Sequence, residues 1–270
     1  EVFGSACCPI NLPCDGGSRV VSCFQESDGE CDLGAVGDFH TSLVDQIVEV
    51  DEALMETYLE TGEVAQSDLL QPFRKAMREG HLVPVAFAAV RNDVGVTEFM
   101  SAMTELFPNP AEGNPRPLMR RTGGETESLH ISPDASGSPI GHCFKVASDP
   151  FVGKLCFFRV HQGTIDNNTS PRIGDGRKGV RLAHFYQYCG KSNEEVHAAV
   201  PGDIVAVAKV DELSYDDVLH LDDSGEVVMH SIPLPKPMYG LAIETTTKGA
   251  EAKLGDALSR MTAEDPTFVV

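Results

Sequence analysis

Ser148-Asp149-Pro150-Phe151-Val152-Gly153-Lys154-Leu155-Cys156-Phe157-Phe158-Arg159-Val160-His161-Gln162-Gly163-Thr164 sets the architecture of the middle of the chain. Leu155 to Val160 is an apolar run broken only by Arg159, as expected of a buried strand. Upstream, Ile140, His142, Phe144 and Val146 alternate with period two. Downstream, Val180 to Tyr188 and Ile204 to Val210 are further strand-like runs, separated by Gly-, Pro- and Asn-rich turns. Several short strands with such turns predict a small closed β-barrel. Phe144, Val146, Phe157, Val160, Ile204 and Val207 are expected inside it or against neighbouring domains.

The pattern changes on either side. Residues 1–36 mix Gly, Cys and Asp with short apolar runs and predict short strands with turns. From 41 to 60, Leu43, Val44, Ile47, Val48, Leu54, Met55, Tyr58 and Leu59 recur at three- and four-residue spacing, and Gly62 follows as a stop. That predicts one amphipathic helix. A second helix is expected from near Leu70, because Pro72 suits a first turn, to Gly80. His81 to Val90 predicts a strand buried on both faces, and Gly95 to Phe107 a helix stopped by Pro108 and Pro110. Helix, buried strand and helix are a fragment of α/β architecture. Pro108 to Pro117 holds four prolines in ten residues and reads as a linker. After Pro233, Pro235 and Pro237, a strand over Met238 to Glu244 and a helix over Gly249 to Thr262 are expected.

The 270 residues are 41% hydrophobic, enough for a real core. No run of about 18 apolar residues predicts a membrane span, and no secretory signal opens the chain. The eight cysteines lack a C-x-x-C pattern and read as reduced thiols, not as a disulfide framework or a metal site. Lys+Arg number 21 against 41 Asp+Glu, a net charge of −20. From Lys145 to Lys191, however, eight basic residues meet only three acids, Asp149, Asp166 and Asp175, for a local +5 against −25 elsewhere. A wholly basic surface is excluded; a local basic patch is not. Pro171-Arg172-Ile173-Gly174-Asp175-Gly176-Arg177-Lys178-Gly179 is a Gly-rich basic tip suited to phosphate contacts.

Catalytic signatures are missing. No G-x-x-x-x-G-K-[ST], N-K-x-D, G-x-S-x-G or H-E-x-x-H occurs. His130 with His142, or His184 with His197, could be imagined as metal pairs, but isolated histidines on strands usually pack or face solvent. Asp216-Asp217 and Asp222-Asp223 read as solvated loops.

The quoted stretch resembles the opening of domain II of bacterial elongation factor G, close to D-P-[YF]-V-G-[KR]-L-x-[FY]-x-R-V-x-S-G-T. Ala199-Val200-Pro201-Gly202-Asp203-Ile204 resembles that family's later A-G-D-I turn. Glu264-Asp265-Pro266-Thr267-Phe268 resembles its E-E-D-P-T-[FL] string at the end of the first helix of domain III. Val83-Pro84-Val85 to Gly95-Val96 resembles the closing strand and loop of the GTPase domain, and Pro9 to Pro13 the start of that domain's insert. The family's guanine-side S-A-[LK] loop falls on Ala89-Val90-Arg91, where alanine replaces the serine.

The resemblance implies a multidomain α/β plus β chain. Residues 1–107 would be the C-terminal part of a GTPase domain with its inserted subdomain, 108–117 a Pro-rich linker, 118–232 the β-barrel domain II, and 233–270 the start of a ferredoxin-like domain III. The parent would be a cytoplasmic, monomeric translational GTPase. It would use GTP and Mg2+ and dock small-subunit ribosomal RNA, with no membrane or DNA partner. Lys154, Arg159, Arg172, Arg177, Lys178 and Arg181 would include the RNA contacts, and Arg159 could instead bridge to a neighbouring domain. Two other readings stay open: a stand-alone non-catalytic barrel module, and a ribosome-protection or release-factor GTPase. Phosphoryl transfer to water needs phosphate-loop donors, Mg2+ and a positioned water. With none assignable, and only Ala89-Val90-Arg91 to offer a guanine edge, calorimetry of the chain with GTP is expected to show no micromolar binding and no turnover above a blank.

Overall fold

A computed structural model describes residues 4–113, 116–247 and 249–270. The chain divides into two compact units, Glu1–Asn114 and Pro115–Val270.

The first unit begins with β1 (Cys7–Pro9), the hairpin of β2 (Asn11–Cys14) and β3 (Arg19–Ser22), and the short pair β4 (Glu30–Cys31) and β5 (Gly34–Ala35). Helices α1 (Val36–Val48), α2 (Glu52–Thr61) and α3 (Gln66–Glu79) follow, then β6 (Val83–Val85) and α4 (Val96–Leu106). Leu43, Ile47, Leu69, Phe73 and Leu82 form the core, with Phe24 edge-on to Phe73 at 5.6 Å. All eight cysteines are free thiols, and burial pushes that of Cys23 up to about 12.

Three expectations in this unit are corrected. The helix expected over 41–60 is two helices. Asp51 is extended (φ −138°) and its carboxylate accepts the Leu54 N–H at 3.1 Å, so a cap interrupts an unbroken apolar period. The next helix begins at Gln66, not near Leu70, and holds Pro72 in its interior, where burial beside Leu69, Phe73 and Ala76 offsets the missing N–H. Of the strand expected over His81–Val90 only β6 forms, half-buried and parallel to β1 alone. Beyond it the Asn11 side chain takes over the pairing: Phe87 N–H donates to Oδ1 at 2.6 Å, and Nδ2 donates to Phe87 O at 3.0 Å.

The second unit is mostly β. The strands are β7 (Leu118–Thr122), β8 (Glu125–Leu129), β9 (Ile140–Asp149), β10 (Gly153–Gln162), β11 (Ile165–Asp166), β12 (Arg172–Ile173), β13 (Phe185–Cys189), β14 (Ser192–Val196), β15 (Ala198–Ala199), β16 (Ile204–Ala208), β17 (Val218–His220) and β18 (Glu226–Met229). Seven make one sheet in the order β12-β17-β9-β10-β16-β13-β14. Ile173 on one end strand and Val196 on the other pack against the same core of Phe158, Phe185, Leu182, Leu213 and Leu219, so the sheet is rolled around it. The ladders β18-β7-β8 and β11-β15 complete the unit. Helix α5 (Glu251–Glu264) follows, and the Ser148 N–H donates to the Glu264 carboxylate.

Val146, Val160 and Val207 are buried as expected, but Phe144 and Ile204 are 38% and 46% exposed, and Phe157 is only half-buried, on the outward face of β10. A bulge accounts for Phe144. Phe157 pairs with Lys145 and Phe158 with Cys143, which leaves Phe144 as the extra residue of β9. Cys143 and Val146 therefore face the core and the alternation reverses between them. The run expected over Val180–Tyr188 pairs only from Phe185, and His184 before it has φ +59°. Met238–Glu244 forms no strand, and Met238 and Tyr239 are 99% and 83% exposed. No described strand pairs with this segment, so its ladder groups have nothing to close on. The chain is thus mixed α/β followed by a β unit.

Phe158 and Phe144 separate the inside of the bulge from the outside. Phe158→Ala is expected to lower unfolding free energy by about 3–5 kcal/mol, the cost of emptying a fully buried phenyl site. Phe144→Ala is expected to cost under about 1 kcal/mol. Urea titration of each variant at constant m-value measures both.

Candidate nucleic-acid interface

The hairpin tip is built by short-range backbone bonds. The Gly176 N–H donates to Ile173 O at 2.8 Å, and Val180 N–H to Pro171 O at 2.7 Å. Gly174 sits at φ +54°, and a Cβ on Gly179 would collide with the Ser170 carbonyl. The close approach at Gly179 leaves no room for any other residue.

Arg177, Lys178 and Arg181 stand exposed around one open basin of about 1040 Å³, and none has an ion-pair partner among the described residues. Lys209 joins them. It lies outside the basic interval in sequence and only its backbone marks it: φ is +59°, where β16 ends, and its N–H donates to Lys154 O at 3.0 Å. The basin also holds Asp175, Glu212, Asp217 and Glu226, so it is zwitterionic. Burial raises the Asp217 carboxyl above its usual range.

The other three expected residues are not gathered there. Lys154 donates to Asp211 O at 2.8 Å. Arg172 is bound to the Asp223 carboxylate. Arg159 is half-buried on β10, opposite His142 and Ile204. The Ala89-Val90-Arg91 loop lies in the first unit, where the Ala89 N–H donates to Val94 O at 2.9 Å while Val90 and Arg91 are exposed.

The acids read as solvated loops are structural. Asp216 has φ +69°, and its carboxylate accepts from Ser231 Oγ at 2.6 Å, His142 Nε2 at 2.9 Å and Arg116 at 3.2 Å. The carboxylate sets the tautomer: it only accepts, so His142 carries its proton on Nε2, and Arg116, which only donates, bonds the carboxylate rather than that protonated nitrogen. Burial works to raise the Asp216 pKa, but these donors together hold it below the usual range. Asp222 is likewise opposed by burial, yet Ser224 and Arg120 bring it down to about 2. His142 lies beside His161 at 6.3 Å, not beside His130; His184 Nδ1 meets Glu195 at 2.7 Å. No group of three or more metal-ligating side chains exists among the described residues. No helix among them is long and apolar enough to cross a membrane.

Residues 139–221 match the family model for elongation factor G domain 2, and residues 234–270 that for elongation factor G domain III. A protein of Thermus thermophilus with a known crystal structure is 29% identical, with a TM-score of 0.75 over 97% of this chain. This chain spans 39% of the length of that protein.

His161 supplies a pH test of the polar cluster beneath the barrel. Its Nε2 is buried without a partner. Burial first, then the charges of His142, Arg159 and Arg116, lower its pKa to about 4. Between about pH 6.5 and that value only the unfolded chain binds the proton, so stability must fall as pH falls, by up to about 1.4 kcal/mol per unit. His161→Gln is expected to flatten this slope in urea unfolding followed from neutral pH to pH about 4, leaving the smaller share due to His142, which burial also lowers.

Proposed function

Because the chain is elongation-factor-G-like in its domain 2 and domain III segments, we propose that it is the central part of a longer cytoplasmic translation factor that couples GTP hydrolysis to translocation or a related ribosomal step. In this reading the barrel is its ribosome-facing module. The observation that carries it is the coincidence of the domain 2 match with the basic stretch of an otherwise acidic chain. Arg177 and Lys178 have exposed side chains with no ion-pair partner among the described residues, so their removal is expected to leave the tip intact, and phosphate contacts position a protein without reading sequence. Small-subunit ribosomal RNA is the partner; no membrane or DNA takes part, and the factor acts as a monomer.

The described residues do not fit GTP with Mg2+. No acidic or histidine cluster could hold the cation, and the Ala89 N–H is spent on Val94. In this reading the nucleotide chemistry belongs to other parts of the factor, and no step of it is assigned to these residues.

The double variant Arg177→Ala, Lys178→Ala tests the reading in the full-length factor. Ribosome affinity is expected to fall, and the slope of log affinity against log salt to flatten by about two. Unchanged affinity at two salt concentrations would return the tip to an ordinary solvated turn.

A further inference from the structure

One register row crosses the outer face of the barrel. Phe157 on β10 pairs with Lys145 on β9 and Ala206 on β16; Ala206 pairs with Tyr186 on β13, and Tyr186 with Glu195 on β14. Phe158, Phe185, Val205 and Val207, the neighbours of this row, fill the core, so strand alternation turns Phe157 and Tyr186 outward. Tyr188 points the same way two residues on, and meets Phe157 edge-on with ring centroids 5.3 Å apart. Ala206 lies fully covered beneath, the one small side chain of the row. These rings, with Gln187, Ile204 and the Gly202-Asp203 turn, bound an open hollow of about 310 Å³.

Cations border the hollow. The Lys145 ammonium stands 5.5 Å from the Phe157 ring centroid. The guanidinium of Arg159, two residues from Phe157 on the same face of β10, has no hydrogen-bond or ion-pair partner among the described residues. The nearby carboxylates are engaged: Glu195 by His184 at 2.7 Å, and Asp203 by the Val200 N–H at 2.9 Å. Flat rings beside two cations that have no ion-pair partner among the described residues complement a ligand that joins flat aromatic groups to negative charge. An apolar peptide would leave Lys145 and Arg159 unmatched, and a duplex hides its base faces.

We propose that this outer face is a stacking platform for an unpaired nucleotide of RNA. The base lies on Tyr186 and Tyr188, and Lys145 and Arg159 meet the flanking phosphates. The partner class rests on the translation-factor reading above, but the contact is elsewhere than the Arg177-Lys178 tip, so the two can fail separately.

The test uses the whole chain with a short oligoadenosine RNA and a blunt RNA duplex, read by fluorescence anisotropy at two salt concentrations. The single strand is expected to bind more tightly than the duplex. Tyr188→Leu and Phe157→Leu are each expected to weaken it about tenfold without changing the salt slope, since stacking releases no counterions. Tyr188→Phe keeps the ring and the affinity, which separates stacking from misfolding. Arg177→Ala, Lys178→Ala reports on the tip alone. No binding of the single strand, equal binding of strand and duplex, or wild-type affinity in both leucine variants would overturn the platform, whatever the ribosome experiment gives. Loss of ribosome binding in Tyr188→Leu with oligonucleotide affinity intact would make the face a protein dock instead, and would equally overturn it.

Discussion

The antiparallel pairing of β9 with β10 is the constraint on which the second unit depends. β9 and β10 run ten residues each and lie at the centre of the seven-stranded sheet. Every other strand of that sheet takes its register from them, directly or through one or two neighbours. The bulge at Phe144 lies in this ladder, and it decides which side chains meet the core. Cys143 and Val146 can both be internal only because one residue between them is unpaired. The same slip places Lys145 across from Phe157, so the external row of cation and rings is a product of the register that packs the interior.

A second constraint acts through one carboxylate. Asp216 gathers Arg116, which precedes the first strand of the unit, His142 of β9, and Ser231, which follows the last strand. Its backbone is fixed too, since the Asp216 N–H donates to Cys143 O and the Cys143 N–H to Asp217 O, both at 2.8 Å. A half-buried carboxylate with three donors is stable as an anion, while its partner His142 is stable as a neutral ring. The cluster is therefore set for neutral pH by the balance of burial against hydrogen bonding.

Much of this was legible in the sequence. The Leu155–Val160 run and the turns around it identify the barrel, because strand burial and turn chemistry are local signals. Helix α4 lies within a residue of its expected bounds, since Gly95 and Pro108 mark it on both sides. The break at Asp51 was hidden because hydrophobic spacing continues through it, and only a side-chain cap divides the helix. The Phe144 bulge was hidden for a related reason: alternation in sequence cannot show that one residue is skipped by the partner strand. Lys209 joins the basin through an unusual φ, and Asp216 and Asp222 gain their roles from residues about a hundred positions away; neither kind of information is local. The expected strand over Met238–Glu244 has the right composition, but a ladder exists only where a second strand supplies it.

The bonds around Asp216 bring the two ends of the barrel to one place. The His230 N–H donates to Pro117 O at 2.8 Å, and Arg116 to His230 O at 3.0 Å, so the chain enters and leaves the barrel side by side. A module whose ends meet can be spliced into a host loop or circularly permuted with little disturbance of its core. The barrel is thus portable in the topological sense: a lineage can move it between larger proteins as a cassette, because the seam that closes it belongs to the module itself.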